Sequence, residues 1–170
     1  TKTFDAFCYT IESKDIVTSE NEEVNNLALA NVRSRLRMVT LYNIAQCNTM
    51  LVVGTGNKVE DFGIGFYTKY GDGGVDISPI ADLMKSEVYD LGRYLGVTES
   101  ILKVRPTDGL WTDGRTDEDQ IGATYDELEW AMKYIETGIL DYATCPDIDR
   151  QSEVLKIYKS RHNANKHKMN

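Results

Sequence analysis

No run of apolar residues in this chain of 170 approaches the length of about 20 that a helix needs to cross a bilayer, which argues against a membrane role. Positive charge is also in short supply. With 19 Lys and Arg against 27 Asp and Glu, the net charge is −8. Broad binding to nucleic acid draws its affinity from cations that neutralise phosphates, and this balance argues against it. Any anion site must therefore be local, built where a few Lys and Arg converge. The three cysteines, Cys8, Cys47 and Cys145, are widely spaced and form no CxxC or Cys/His metal pattern. They read as free thiols of a reducing cytoplasm. Internal repeats and low-complexity segments are absent. So are an initiator Met and the apolar core of a signal peptide, which raises the expectation that the chain was cut from something longer.

What is present fits one soluble domain with a real core, at 41% apolar and 27% charged residues. Ser19 and Glu22 have the spacing of a capping box, and a long helix is expected to follow, ending near Cys47 or Asn48. Val24, Ala28, Val32, Val39 and Tyr42 share one face of it at ~100° per residue. "TMLVVG", closed by Gly54, reads as a buried parallel strand. "DISPIADLMKSEVYDLGRYLG" places Met84, Val88, Leu91 and Leu95 on one helical face, with Gly96 as the stop. Thr124 and Glu127 form another capping box, ahead of a stripe of Leu128, Met132 and Ile135 that stops at Gly138. A last helix offers Ile148, Val154, Leu155 and Tyr158 for packing. The polar segment from Pro106 to Thr124 is too long for a plain connector and is either disordered or a working lid. One clear strand is too few for a doubly wound sheet, so part of the sheet is expected to lie outside this chain.

Several polar residues carry a cost. Arg35 lies seven residues after Ala28 and seven before Tyr42, in the middle of the apolar face. A guanidinium there needs a carboxylate, phosphate or carbonyl partner. An internal salt bridge and a ligand contact are equal readings of the helix alone. Arg33 and Arg37 fall on the opposite face and read as solvated. Seven glycines stand between Val52 and Asp76. In α/β sheets ligands collect beyond the carboxyl ends of strands, and Gly54 and Gly56 there would let backbone approach one closely, with Thr55 adding a hydroxyl. Glu60, a turn further on, is a hard oxygen ligand of the kind Mg²⁺ takes. Lys85 stands in the first turn of its helix, where the macrodipole disfavours a cation, a placement that makes sense beside an anion. Gly71, Gly73 and Gly74 can take positive φ and shape a loop that presents Lys69, Asp72 and Asp76.

In this order the pieces resemble the NAD synthetase family, of the N-type ATP pyrophosphatase group. The residues that carry the resemblance are "NVRSRLRM", "VVGTGNKVE", "GFYTKYGDGGVDISPIADLMKSEV", "RPTDGLW", "GRTDEDQIGATYDELE" and "NKHKM", running from about Asn31 to Lys168. The resemblance implies an α/β fold with a Rossmann-like parallel sheet flanked by helices (adenine nucleotide alpha hydrolase-like), of which residues 1–170 are the C-terminal portion of a single domain lacking its first strands. The activity it implies has two steps. ATP adenylates the nicotinate carboxylate of deamido-NAD and releases pyrophosphate; ammonia then attacks the acyl-adenylate to give NAD and AMP. By the same resemblance Thr55, Lys85 and Thr107 match ATP-binding positions. Arg35, Lys69, Asp76, His167 and Lys168 match positions that bind deamido-NAD, and Glu60 matches the Mg²⁺ position. The segment opened by Thr107 matches a mobile cover over the site. No side chain is assigned a covalent role, since positioning and charge neutralisation carry the chemistry. A cytoplasmic homodimer is implied, using ammonia directly or glutamine through a separate glutaminase domain.

Two departures stand out. The family's SGGxDS loop, which cradles the ATP phosphates, is nowhere in this sequence, so the chain alone is expected to bind ATP weakly and not to turn over. Val59 replaces a small polar residue but leaves Glu60 in register. The alternatives are another adenylating amidotransferase of the same fold, against which the "YGDGGVD" loop argues, and a non-catalytic nucleotide-binding module.

Overall fold

The computed structural model describes residues 1–14, 19–111, 113–141, 144–145 and 147–169. Helices α1 (Lys2–Ser13) and α2 (Glu22–Asn48) open the chain, and a one-turn π-helix (Lys58–Ile64) follows. Then come α3 (Lys85–Tyr94), α4 (Glu99–Leu102), α5 (Asp117–Ile121), α6 (Tyr125–Thr137) and α7 (Ile148–Asn165), with a closing 3₁₀ turn at Lys166–Lys168.

The core lies where the π-helix, α6 and α7 meet. Val59, Ile64, Leu128, Ala131 and Val154 are fully enclosed there, with Tyr158, Trp130 and Met132 around them. Each fully buried Val, Leu or Ile is worth roughly 1.5–3 kcal/mol. Helix α6 starts as its sequence dictates. Thr124 Oγ1 accepts from the Glu127 amide at 3.2 Å and Glu127 Oε2 accepts from the Thr124 amide at 2.9 Å, closing the capping box. Gly138, at φ +72°, ends it. The inward stripe stops at Met132. Ile135 is 45% exposed, because the last turn of α6 runs out past the core.

Helix α2 departs from the pattern expected of it. Its N-cap is Asn21, whose Oδ1 accepts from the amides of Glu23 and Val24; Ser19 instead accepts from the Asn21 amide and braces the cap. The buried face is Ala30, Ser34 and Ala45, while Val24 and Val39 are more than half exposed. Arg35 therefore does not sit in a buried stripe; it is exposed. Ser34 faces inward because the backbone of the loop at Gly71 and Asp72 approaches it closely.

Among the described residues no strand forms. The segment read as a buried strand makes one isolated parallel bridge, Val53 to Ile77. Gly54 donates to the Ile77 carbonyl at 2.7 Å and Asp76 to the Val52 carbonyl at 2.9 Å. Val52 is buried, but Leu51 and Val53 are 64% and 52% exposed. A strand inside a parallel sheet is paired on both edges and covered on both faces, and within the described residues this segment is paired on one edge only.

Candidate functional site

Four pieces of backbone surround one cavity of about 750 Å³: the inner face of α2, the bridge at Val52–Thr55, the loop from Phe66 to Val75, and the end of α7 with the 3₁₀ turn. Asp108, Leu110 and Trp111 form its far wall.

The glycine-rich loop is held to α2 by a compact polar network. Ser34 Oγ donates to Asp72 Oδ1 at 2.7 Å and accepts from the Asp72 amide at 3.0 Å. The same carboxylate takes the Thr68 amide at 3.0 Å, and Thr68 Oγ1 donates to Asn31 Oδ1 at 2.6 Å. A Cβ at Gly71 would stand 2.2 Å from Ser34 Oγ, and one at Gly56 would stand 2.0 Å from Asp61 Oδ2. These glycines make room for other parts of the protein rather than for a ligand. The positive φ in the loop belongs to Tyr70, at +62°, and not to its glycines.

The C-terminal turn folds back over this loop. Lys168 Nζ donates to the carbonyls of Gly65 and Tyr67 at 2.9 and 2.8 Å, Tyr67 donates to the Lys168 carbonyl, and Lys69 Nζ to the His167 carbonyl. Arg35 Nε donates to the Lys69 carbonyl at 3.3 Å, and Arg37 to the carbonyls of Asp108 and Gly109 at 3.4 and 3.1 Å. Arg161, half-buried on α7, donates to the carbonyls of Gln120 and Ile121. Arg35, Arg37, Lys69, Arg161, His167 and Lys168 thus line one cavity. Among the described residues none of the six forms an ion pair with a carboxylate, although other Lys and Arg of this acidic chain do. Burial pushes the Lys168 ammonium and the Arg161 guanidinium below their ordinary values.

The structure brings Arg35, Thr55, Lys69, His167 and Lys168 to this cavity. Thr55 is exposed at its edge. Asp76 is used otherwise: Oδ2 takes the Val52 amide at 2.7 Å and Oδ1 the Tyr42 hydroxyl at 3.2 Å, so it clamps the bridge. Thr107 stands outside the lining, its hydroxyl donating to the Arg115 carbonyl and accepting from the Gly109 amide. The described residues between Pro106 and Thr124 include α5, and the Asp117 amide donates to the Pro106 carbonyl at 3.0 Å.

Glu60 and Lys85 form a second constellation. Lys85, the first residue of α3, places Nζ 2.5 Å from Glu60 Oε1, while Asn57 Nδ2 donates to Oε2 at 2.5 Å. The anion that accounts for a lysine at this helix start is therefore Glu60 itself. The α3 amides are capped by buried Glu129, which accepts from the Ser86 amide and hydroxyl. Tyr125 lies beneath Lys85, 4.6 Å from ring centre to Nζ, and its hydroxyl donates to Asp117 Oδ2 at 3.1 Å. Asp117 Oδ1 is buried with no partner. Burial and the nearby Glu60 raise both the Tyr125 phenol and the Asp117 carboxyl. Asp61 is pushed up to about 7, mainly by burial and further by Glu60 and Asp72. One carboxylate with an adjacent buried oxygen suits only a Mg²⁺ that keeps most of its ligands as water or phosphate. No group of three or more His, Cys, Asp or Glu among the described residues could hold a metal.

The sequence reading missed Ser34 and Arg161. Arg161 carried a signal, since Val154, Tyr158 and Arg161 recur at fours and threes along α7. Ser34 carried none, because its partner Asp72, which the glycine-shaped loop did mark, lies far along the chain.

The family model for NAD synthase matches residues 5–170. The chain belongs to the NAD synthase family. Within that family it is 48% identical over 116 residues to the NH(3)-dependent NAD(+) synthetase of Mesoplasma florum, covering 68% of this chain and 45% of the relative. To that of Archaeoglobus fulgidus it is 47% identical over 131 residues, covering 75% and 52%. The chain spans about half the length of the curated relatives it matches. Among solved structures, NMN synthetase from Francisella tularensis superimposes with a TM-score of 0.79 at 34% identity, covering 100% of this chain and 61% of that one. The NH3-dependent NAD synthetase from Campylobacter jejuni does so with a TM-score of 0.68 at 27% identity, covering 99% and 60%.

Proposed function

We propose that this chain is the C-terminal portion of an enzyme that amidates deamido-NAD to NAD at the expense of ATP. The observation that carries the reading is the cavity cluster of cations whose donors rest on neutral carbonyls. A guanidinium or ammonium gains more from an anionic oxygen than from a carbonyl, so an arriving pyrophosphate or ribose phosphate would displace these contacts at a net gain. Arg35, Lys69, His167 and Lys168 are the residues proposed to hold the dinucleotide; Asp76 acts by fixing the bridge beside it. Thr55, Lys85 and Thr107 are proposed to meet ATP. Adenylation would convert the nicotinate carboxylate into a mixed anhydride with pyrophosphate leaving, and ammonia would then add to its carbonyl carbon as AMP leaves with the C–O electron pair. Oriented groups suffice for both steps, because the work is in-line approach and charge neutralisation.

Glu60, helped by Asp117, would hold Mg²⁺, which would supply positive charge to offset that of the phosphates; Lys85 would then be free to turn toward ATP. The phosphate loop is proposed to lie upstream, along with strands that pair with Val52–Gly54 to complete a Rossmann-like parallel sheet. A cytoplasmic homodimer with α2 at the interface belongs to the same proposal, as does ammonia as the nitrogen source.

A second reading takes the mononucleotide as acceptor. It is favoured by the TM-score of 0.79 and 34% identity to a protein solved as an NMN synthetase. The test is amide formation by the complete polypeptide with ATP, Mg²⁺, ammonia and either acceptor. Turnover of deamido-NAD, with KM for it raised about tenfold or more in Lys168→Met, supports the main reading, since a charge-assisted hydrogen bond is worth roughly 1.5–3 kcal/mol. Turnover of the mononucleotide alone moves the assignment to the second reading, and turnover of neither refutes both.

A further inference from the structure

Arg33 and Arg37, which the helix pattern assigns to solvent, hold one wall of the cavity. Arg33 Nη1 donates to the Leu110 carbonyl at 3.1 Å, and the two terminal nitrogens of Arg37 donate to the carbonyls of Asp108 and Gly109 at 3.4 and 3.1 Å. Three consecutive carbonyls therefore point to two guanidinium groups one helical turn apart. In an extended chain successive carbonyls alternate in direction; Gly109, at φ +61°, brings these onto one side, and its Cβ position has nothing within 4 Å. Arg33 is held in turn by α1, its guanidinium 4.1 Å above the centre of the Phe4 ring. On the same helix Arg35 holds the opposite wall through the Lys69 carbonyl.

We infer that Arg33 and Arg37 are positioning residues for the substrate cavity: together they hold the 108–110 backbone against α2, so that Asp108, Leu110 and Trp111 stand across from Lys69 and Lys168. Thr107, one residue before the clamped carbonyls, is set in place by the same contacts. Planarity matters here. A guanidinium can address two neighbouring carbonyls at once, whereas an ammonium is a point charge that cannot hold both in a fixed geometry. The ligand half of the test rests on the dinucleotide reading; the backbone half does not.

The experiment is amide hydrogen exchange on the complete polypeptide with and without deamido-NAD, together with titration followed by indole emission, in wild type, Arg37→Ala, Arg37→Lys, Arg33→Ala and the control Lys103→Ala. Lys103 pairs with exposed Glu99, away from the cavity. Exchange at Gly109 and Leu110 is expected to quicken about tenfold in both Ala variants and in Arg37→Lys, with α6 and α7 unchanged. Dinucleotide binding should weaken about tenfold in Arg37→Ala and almost as much in Arg37→Lys. Full rescue by Arg37→Lys would show that charge alone matters and would overturn the inference, as would unchanged exchange at 109–110 in the Ala variants. If wild type binds no deamido-NAD, the dinucleotide reading fails and the exchange result alone decides the clamp.

Discussion

Replacing Gly71 by alanine separates close packing from conformational freedom as the reason for a glycine in the shaped loop. Gly71 is buried and lies outside the positive-φ region, so an alanine there meets no backbone strain. The added Cβ would stand 2.2 Å from Ser34 Oγ and 2.9 Å from the Cβ atoms of Ser34 and Thr68. Ser34 is 4% exposed and cannot swing away, so the loop must lift from α2. Lifting breaks the Ser34–Asp72 pair of bonds at 2.7 and 3.0 Å and the Thr68–Asn31 bond at 2.6 Å. At about 1 kcal/mol for each net hydrogen bond, with water replacing part of the loss in this half-buried site, the cost should be about 2–3 kcal/mol. Urea unfolding followed by circular dichroism reads this as a fall in midpoint at constant slope. Gly74→Ala is the milder comparison: its Cβ would meet the flexible Met38 Cγ at 3.2 Å and the backbone Gly71 oxygen and Tyr70 carbonyl carbon at 3.3 and 3.4 Å, contacts that ask for shifts of only a few tenths of an ångström, and it should cost about 1 kcal/mol. A Gly71→Ala protein within about 0.5 kcal/mol of wild type, or a Gly74→Ala protein equally destabilised, would refute the steric account.

Two further predictions concern the scaffold. The Asp61 carboxyl is raised from 3.8 to about 7 in the folded protein, so between those values the native state holds a proton that the unfolded chain has released. The stability this group supplies is full below pH 3.8 and is lost as the pH rises to about 7; Asp61→Asn should flatten that part of the stability profile, measured by denaturation at each pH, and an unaltered slope would contradict it. On α6, Leu128→Ala should cost about 2–5 kcal/mol and Ile135→Ala under about 1, although the two share a helical stripe. Leu128 is fully buried and Ile135 is 45% exposed, and equal losses in thermal denaturation would contradict the boundary drawn for the core.

The parts of the fold legible in sequence are those governed by neighbours in the chain. The capping box at Thr124, the Gly138 stop and the end of α2 at Asn48 follow from interactions within a few residues, and the spacing of Val154 and Tyr158 four apart marks the face of α7 that packs. The inner face of α2 was not legible, because its partners are loops 34 or more residues away and it meets them through Ala30 and Ser34 rather than through its valines. The same limit hid the roles of the three arginines. Their wheel positions set Arg35 apart from Arg33 and Arg37, yet all three donate to main-chain carbonyls, on opposite walls of one cavity.

By itself the sequence determined that α2, α3, α6 and α7 coil into helices, where several of them start and stop, and which motif blocks place the chain in its family; α1, the π-helix, α4 and α5 were not read from it. Those properties rest on local hydrogen bonds and on the order of residues, both contained in a linear string. Tertiary structure alone decided that Lys85 answers Glu60, that Asp76 clamps the bridge at Val52, and that the glycines of the loop yield space to Ser34 and Asp61. It also decided that the cations from α2, the loop and the C-terminal turn face one cavity in which, among the described residues, none of them is ion-paired, although Asp72 and Asp108 line it too. Each of these depends on distances between atoms far apart in the chain, and such distances exist only once the core between α6, α7 and the π-helix has closed.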